Sequence, residues 1–476
     1  MKRSYDLIAI GAGSAGIGIA AFMAKAGFKA LLIDKSETAL GGDCLNYGCV
    51  PSKALIHAAR QVQASREIER FGISAPSSKA DLSKVMNYVR ECQEHVRHHE
   101  SKEAFEEMGL DVALGSARFT GPNSVKVGDD EFSAKKIVLA TGSSPRMLNT
   151  PGIENIPSYT NETLFDMDTL PERLLVAGGG PIGCELGQAF AMLGSKVTIV
   201  QSSDRLLHKE RAEVSQILKE QFEAQGIEIM LGARLDSFSD KGDAIVSIGG
   251  EQVIIECDAV LSSIGRKIHL ESLDLDKAGI ETQDGRIVLD EQLRTTNQNI
   301  LACGDVAGGL MFSHAAELHV RMVINNLLSP LRKKLDTSHF SWVTFTSPEV
   351  ATFGRSAEEL EKERVEFITL DHDFKSDDRA ITDDYRYGKA YTYLTKPNLY
   401  GSQKILGGTM IAPNAGELIQ ELILTNSAGI KASAIFNKIY PYPTASRVNQ
   451  MAMVNEQEKR LTPAMKKLFR FLYKFS

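Results

Sequence analysis

Cysteine is scarce in this chain: six in 476 residues, at positions 44, 49, 92, 184, 257 and 303. That density excludes a secreted scaffold stapled by disulfides. Long hydrophobic runs are also missing, and none reaches the ~18 residues needed to span a bilayer. There is no excess of positive charge; the formal net charge is −7, which argues against a nucleic-acid binder. Low-complexity segments are absent. The apolar stretch from Tyr5 to Ala21 after Met1-Lys2-Arg3 could suit a secretory signal, but Asp6 interrupts it and Gly11, Gly13 and Gly16 fall at a phosphate-loop spacing. Export is not expected, and a cytoplasmic protein is.

What is present is ordinary in amount and particular in position. Apolar residues make up 43% of the chain, charged residues 24%, and there are 39 glycines. The length predicts two to four domains. Tyr5–Ile10 reads as a short buried strand running into Gly11-Ala-Gly-Ser-Ala-Gly16, a small-residue helix to Ala26 and a second strand, Ala30–Asp34. The pattern recurs with Arg173–Ala177, the loop Gly178–Gly183, a helix over Glu185–Leu193 and a strand over Ser195–Val200. Two such starts imply two dinucleotides, or one duplicated fold with a dead copy. Asn299–Asp305 reads as a strand ending at an acid. Beyond Ser341 the chain becomes mixed α+β, with strands at Trp342–Thr346 and Tyr391–Leu394 and a helix over Glu417–Asn426.

The first glycine loop lets backbone N–H groups approach a pyrophosphate, and Asp34 lies where an acid takes a ribose hydroxyl. At the second loop the ribose position falls on Gln201, followed by Ser202 and Ser203. Losing the carboxylate removes repulsion against a 2′-phosphate and tilts the choice toward NADPH. Arg205 is either the partner of that phosphate or a solvated surface charge. Cys44-Leu-Asn-Tyr-Gly-Cys49 has four residues between its thiols. Structural zinc wants four ligands in two short-spaced pairs, and no second pair follows. Cys92 with His95, His98 and His99 reads as a polar helix face. The four-residue gap fits a redox pair opening and closing across one helical turn, and Lys53, one turn beyond Cys49, would stabilise a thiolate.

Gly41-Gly-Asp-Cys-Leu-Asn-Tyr-Gly-Cys-Val-Pro-Ser-Lys53 closely resembles the active-site signature of the class I pyridine nucleotide-disulfide oxidoreductases, which include dihydrolipoamide dehydrogenase, glutathione reductase and mercuric reductase. The resemblance continues at Ala140–Pro145, Gly178–Glu185, Gly265-Arg266, Cys303–Val306 and Phe345–Glu349, and covers about residues 5–450. It implies an α/β fold of two Rossmann-like dinucleotide-binding domains and a C-terminal α+β dimerisation domain. The expected bounds are 1–148 for the first part of the FAD domain, 149–268 for the NAD(P) domain, 269–340 for the second part of the FAD or central domain, 341–455 for the dimerisation domain and 456–476 for a basic tail.

It also implies roles. Gly11, Gly13, Gly16 and Asp34 would hold the FAD adenosine half, and Asp305 the ribityl chain. Ser14, Ala15, Lys35, Gly42, Asp43, Lys53, Ala117, Thr141, Gly142, Gly265, Arg266 and Gly304 complete the expected cofactor lining. Gly178, Gly180, Pro181, Ile182, Gly183 and Gln201 would take the nicotinamide cofactor. Cys49 would be the thiol against the flavin and Cys44 the interchange thiol, with Lys53 paired to Glu185. The implied assembly is a homodimer whose active sites are completed across subunits.

Three features depart from the family pattern. The His-x-His-Pro-Thr-x-x-Glu stretch that supplies an acid–base pair reads Tyr440-Pro-Tyr-Pro-Thr-Ala-Ser-Arg447, with Tyr442 at the catalytic His position and Arg447 at the Glu. A tyrosine titrates near ~10 and is a poor base at neutral pH. Mercuric reductase also has tyrosine there and resembles Glu185–Val200, but it uses a C-terminal cysteine pair, whereas no cysteine follows Cys303. Asp43 replaces the threonine of many relatives; an acid there either raises the cysteine pKa values or substitutes a local hydrogen bond. The expectation is electron flow from NAD(P)H through FAD to Cys44–Cys49 and on to an acceptor that is a disulfide, a metal ion or a quinone. The alternatives are a dihydrolipoamide dehydrogenase and a non-catalytic redox-sensing flavoprotein docked near a membrane partner. In the tail, Thr462-Pro463 starts a helix with Met465, Leu468, Phe469 and Leu472 on one face and Lys466, Arg470 and Lys474 beside it. This suits either an interfacial helix on an anionic membrane surface, through 462–476, or a helix docked on its own dimer.

Overall fold

The computed structural model describes residues 3–74, 80–398, 402–459 and 461–475. It divides into two compact units: Met1–Ser202 with Ala233–Leu335, and Ser203–Gly232 with Asp336–Ser476.

The first unit is built on a sheet whose parallel strands run in the order Asp111–Leu114, Ala30–Asp34, Arg3–Ile10, Asp130–Leu139, with Ile300–Ala302 also parallel to Asp130–Leu139. Such strands are covered on both faces, so they carry unbroken apolar runs rather than alternation. In Arg3–Ile10, Leu7 and Ala9 pack against Ala15, Ile19 and Met23 of helix Ser14–Lys25, while Ile8 and Ile10 face a separate cluster with Phe119 and Val125. Each buried Leu or Ile contributes ~1.5–3 kcal/mol, so the strand is fixed from both sides. The carboxyl ends of these strands bring Gly11, Asp34, Ala140 and Cys303 to one edge, where ligands of open α/β sheets bind.

The repeat is a second parallel set in the order Lys196–Gln201, Arg173–Ala177, Ala259–Ser262, Ser158–Tyr159. Its helix spans Pro181–Leu193, four residues longer at its start than the composition suggested. Pro181 sits in the first turn, where its missing N–H would have no partner anyway. The unit also holds an antiparallel set, Ala233–Phe238, Ala244–Ile248 and Glu251–Ile255, and antiparallel strands Ala117–Gly121 and Ser124–Val127 extend the first sheet.

The second unit holds a five-stranded antiparallel sheet in the order Ser341–Thr344, Glu349–Gly354, Ile405–Ala412, Lys389–Thr395, Phe367–Asp373. Phe353, Phe374, Met410, Leu422 and Val448 centre its core. Buried Glu210 is held by Trp342 Nε1 at 2.7 Å and Thr352 Oγ1 at 2.6 Å, so its carboxylate has replacement partners for lost water. The helix expected over 417–426 divides at Ile419 into Ala415–Leu418 and Gln420–Ser427, with the Ile419 amide still bonded to the Ala415 carbonyl. Thr462 caps a final helix, Pro463–Leu472, by accepting the Met465 amide at 3.3 Å. No helix among the described residues is long and apolar enough to cross a membrane.

Candidate active site

The two cysteines do not share a helix. Cys44 lies in Gly42–Asn46, and Cys49 is the first residue of Cys49–Glu67. The expectation of a pair spaced along one helical turn is therefore corrected: the helix breaks at Tyr47-Gly48. The Tyr47 amide closes the first helix on the Asp43 carbonyl at 2.8 Å, and the Gly48 carbonyl opens the second by accepting the Ser52 amide. A side chain at Gly48 would meet the Asp43 carbonyl oxygen at 2.9 Å, so the chain reverses only with glycine there. The break puts Cys49 at a helix N-terminus, where unpaired N–H groups favour a thiolate.

The Cys44 and Cys49 thiols interact, which pushes Cys44 up and pulls Cys49 down. Cys49 is lowered to about 6, first by that interaction, then by Ser313 and the Lys53 charge, against opposition from burial and Asp43. Cys44 is raised, first by the same interaction and then by desolvation. Ser313 Oγ stands 3.3 Å from Cys49 Sγ. Lys53 Nζ is fixed 2.8 Å from Glu185 Oε2, a carboxylate that is itself buried. Cys49 is exposed and Cys44 half-buried, so an acceptor can reach the pair. Helix Leu82–Arg97 props this segment: Gln93 donates to the Leu45 and Asn46 carbonyls, and Arg97 donates to Asn46 Oδ1 at 2.9 Å. His98 and His99 fall beyond that helix's last residue.

Around the first glycine loop, the Asp34 carboxylate accepts the Ala12 amide at 2.5 Å and the Lys35 amide at 2.6 Å. Burial raises its pKa while those bonds lower it. The Gly115 amide donates to the Asp34 carbonyl, which brings the strand beginning at Ala117 to the same end. A side chain on Gly42 would meet Gly13 Cα at 2.6 Å, so loop and redox helix touch backbone to backbone. Ala140, before Thr141 and Gly142, donates its amide to Ile10. Gly304 donates to Nδ1 of His319, a ring that burial keeps neutral.

Asp43, next to Cys44 in the chain, belongs to a charged network with Arg266 and Asp305. Arg266 lies 3.2 Å from Asp43 Oδ1 and 3.6 Å from Asp305 Oδ2, while its guanidinium also donates to Ser143 Oγ and to the Ser143 carbonyl. The Ser143 hydroxyl donates to Asp305 at 2.5 Å. Asp43 accepts from Asn161 at 3.4 Å. Asp43 is thus both a weak upward influence on Cys49 and one arm of an ion pair. Sequence reasoning missed Ser313, Ser143, Asn161, Gln93 and Arg97. Ser313 is 264 residues from Cys49, and no local pattern marks it.

The second glycine loop repeats the first. A side chain on Gly183 would meet the Gly178 carbonyl at 2.0 Å, as one on Gly16 would meet Gly11 at 1.7 Å. The Gly179 amide donates to Gln201 Oε1 at 2.9 Å. Pro181 and Ile182 open the helix after Gly180. Gly265 bonds its carbonyl to the Arg146 amide. Tyr442 belongs to the second unit: it is exposed, donates to Asp378 at 2.9 Å, and has the Arg447 guanidinium 5.5 Å from its ring centre.

Comparison with known families matches residues 5–319 to the family described as pyridine nucleotide-disulphide oxidoreductase, and residues 340–453 to its dimerisation domain. The chain belongs to this family. It is an oxidoreductase, and the family uses FAD with a nicotinamide nucleotide. The dimerisation domain supports a homodimer. A mercuric reductase of Lysinibacillus sphaericus is 31% identical over 95% of this chain and 82% of its own. A dihydrolipoyl dehydrogenase of Chlamydia muridarum is 31% identical over 94% of this chain and 96% of its own. Among solved structures, the HOCl-induced flavoprotein disulfide reductase RclA from Escherichia coli, in a Cu(II) complex, superposes with a TM-score of 0.83 at 27% identity, covering 95% of this chain and 100% of that one. The tail beyond 453 lies outside both matched segments.

Proposed function

We propose that this oxidoreductase takes electrons from NADPH, through FAD, into the Cys44–Cys49 disulfide and passes them to a thiophilic metal ion. The observation that carries the reading is the geometry of the pair: Cys49 opens a helix with Ser313 Oγ 3.3 Å from its sulfur and the Lys53 charge lowering its pKa, and Cys44 lies half-buried in the preceding short helix. The residues fit FAD. Gly42 packs backbone to backbone on Gly13 and so sets the Cys44 helix directly against the glycine loop, Asp34 orders that loop, and Ser143 holds the Asp305 carboxylate. FAD, when bound, supplies the two-electron relay between the nicotinamide and the disulfide.

The chain's own groups set the rest. Reduction leaves Cys49 as a thiolate, steadied by Lys53, and Cys44 as a thiol. Glu185 holds the Lys53 ammonium in place. Cys44 meets the acceptor. Exchange with an organic disulfide would need a neutral-range acid and base for the leaving thiolate. Tyr442 is instead engaged with Asp378, which raises its pKa, and Arg447 is no base. A soft metal ion bonds to the Cys44 sulfur and displaces its proton to solvent, and the reaction has no leaving thiolate to protonate. Two electrons reduce one mercuric ion to the metal, or two cupric ions to cuprous. The disulfide re-forms. In the homodimer, this reading has the stretch 440–447 of the other subunit closing each site. The relatives' names, a mercuric reductase and a flavoprotein seen with Cu(II), agree with it.

The test is an acceptor panel with the pure holoprotein: mercuric ion, cupric ion, lipoamide, glutathione disulfide and a soluble quinone, each with NADPH and NADH. Metal turnover is expected, lost in Cys44→Ser/Cys49→Ser, with lipoamide and glutathione disulfide slower by ~100-fold or more. Rapid lipoamide turnover, or a dominant quinone activity that survives the double variant, overturns the proposal.

A further inference from the structure

The segment after Leu461 has a composition unlike the rest of the chain. Residues 461–475 contain Lys466, Lys467, Arg470 and Lys474 and no acid, on a protein whose net charge is −7. The helix Pro463–Leu472 has its own start, with Thr462 as cap and Pro463 in the first turn, but at 10 residues it needs a surface for its apolar face to be stable. At 3.6 residues per turn, Met465, Leu468, Phe469 and Leu472 share one face, and Phe471 and Phe475 widen it with a ring contact at 5.0 Å. The four cations gather on the opposite sector. None of the helix's residues is buried, and Leu468, Phe469, Phe471 and Leu472 are each about half exposed.

A helix resting on a protein surface turns a mixed-charge face to water. Here the polar face is wholly cationic and the apolar face is broad and aromatic, the pattern of helices that lie in the lipid headgroup plane. We propose that Pro463–Leu472, continued by Tyr473–Phe475, docks the protein on an anionic phospholipid bilayer at the cytoplasmic face. The apolar side chains enter the acyl boundary, and Lys466, Lys467, Arg470 and Lys474 meet the phosphates.

The experiment is flotation of full-length holoprotein with vesicles of phosphatidylcholine alone or mixed with phosphatidylglycerol. A variant ending at Lys459 loses no buried side chain of the helix; flavin content and NADPH oxidation confirm its fold. Full-length protein is expected to float with the mixed vesicles and little with phosphatidylcholine alone. Lys466→Gln/Lys467→Gln/Arg470→Gln should bind roughly a hundredfold more weakly, and added salt should act likewise. Leu468→Asp/Phe469→Asp should abolish flotation and leave the dimer mass unchanged. Equal flotation with and without the tail overturns the proposal. So does a full-length protein that never floats, including the case in which the truncation converts dimer to monomer and a second copy proves to be what covers the helix.

Discussion

Gln201 accepts the Gly179 amide at 2.9 Å in the same place where Asp34 accepts the Ala12 amide at 2.5 Å. Both side chains tie the end of a second strand to a glycine loop, but only Asp34 brings a charge. A neutral tie spares a 2′-phosphate the repulsion a carboxylate would exert. Gln201→Glu should keep the bond and restore the charge. NADPH is then expected to lose roughly tenfold in kcat/KM relative to NADH, about 1.4 kcal/mol. Steady-state kinetics with both nucleotides measures the ratio, and an unchanged ratio removes Gln201 from nucleotide selection.

The reduced pair should titrate asymmetrically. Cys49 is depressed to about 6, so its thiolate is present above that pH and is lost as pH falls through it. The depression also stabilises the fold above the ordinary thiol range near ~8.5, a contribution lost as pH falls through about 6. Alkylation of the reduced protein by iodoacetamide should follow the same midpoint. Lys53→Met removes one of the lowering charges and should move the midpoint upward. Cys49→Ser removes the thiol that pushes Cys44 up, so Cys44 should become easier to ionise. A midpoint indifferent to Lys53 would show that the ammonium does not act on the thiolate.

The glycine loops, Asp34, the cysteine pair and the Lys53–Glu185 partnership were legible because each is a local signature or belongs to a family pattern. The break at Tyr47-Gly48 was not: spacing alone cannot distinguish one helix from two, and the decisive contact is between Gly48 and its own Asp43 carbonyl. Ser313, Ser143 and Asn161 were invisible for another reason. Each is a common polar residue brought in from more than a hundred positions away. The role of Asp43 was left between two readings, and geometry shows it bonded to Arg266 and Asn161 while still opposing the Cys49 thiolate. Helix Leu82–Arg97 looked like a solvated histidine face, yet its Gln93 and Arg97 hold the redox segment.

Arg266 bridges Asp43 and Asp305, and its side chain is 11% exposed. Arg266→Met leaves both carboxylates without it. Asp43 and Asp305 keep 38% and 21% of their side-chain exposure, so the loss lies below the ~3–5 kcal/mol of a fully buried pair, and Ser143 still serves Asp305 while Asn161 serves Asp43. Thermal unfolding and the flavin-to-protein ratio should both fall. Arg266→Met/Asp43→Thr should recover part of the loss, since the substitution removes one orphaned charge.

Gly42 has φ +60°, and a methyl group there would meet Gly13 Cα at 2.6 Å. Gly42→Ala must push the redox helix away from the glycine loop. The protein should purify with little bound flavin while its far-ultraviolet dichroism stays close to the parent's. Full flavin occupancy in this variant would mean that the Gly13–Gly42 contact is not needed to shape the flavin site.

On the proposed reading, Tyr442 sets which acceptors the site can serve. Its hydroxyl donates to Asp378, and that bond raises its pKa, so the deprotonated form is scarcer at neutral pH than for a free tyrosine. An exposed group of this kind has little bearing on stability, and Tyr442→Phe should leave the thermal unfolding midpoint essentially unchanged. If the chemistry at Cys44 needs no proton partner, metal turnover in Tyr442→Phe should stay within about twofold of the parent and its pH profile should keep the Cys49 limb near 6. Tyr442→His with Arg447→Glu rebuilds the family's acid–base pair. That double variant should gain lipoamide or glutathione disulfide turnover by ~100-fold while metal turnover changes little. A Tyr442→Phe variant inactive toward metals would assign the hydroxyl a direct part in the reaction, through binding the ion or through donating the proton that the proposed mechanism does without.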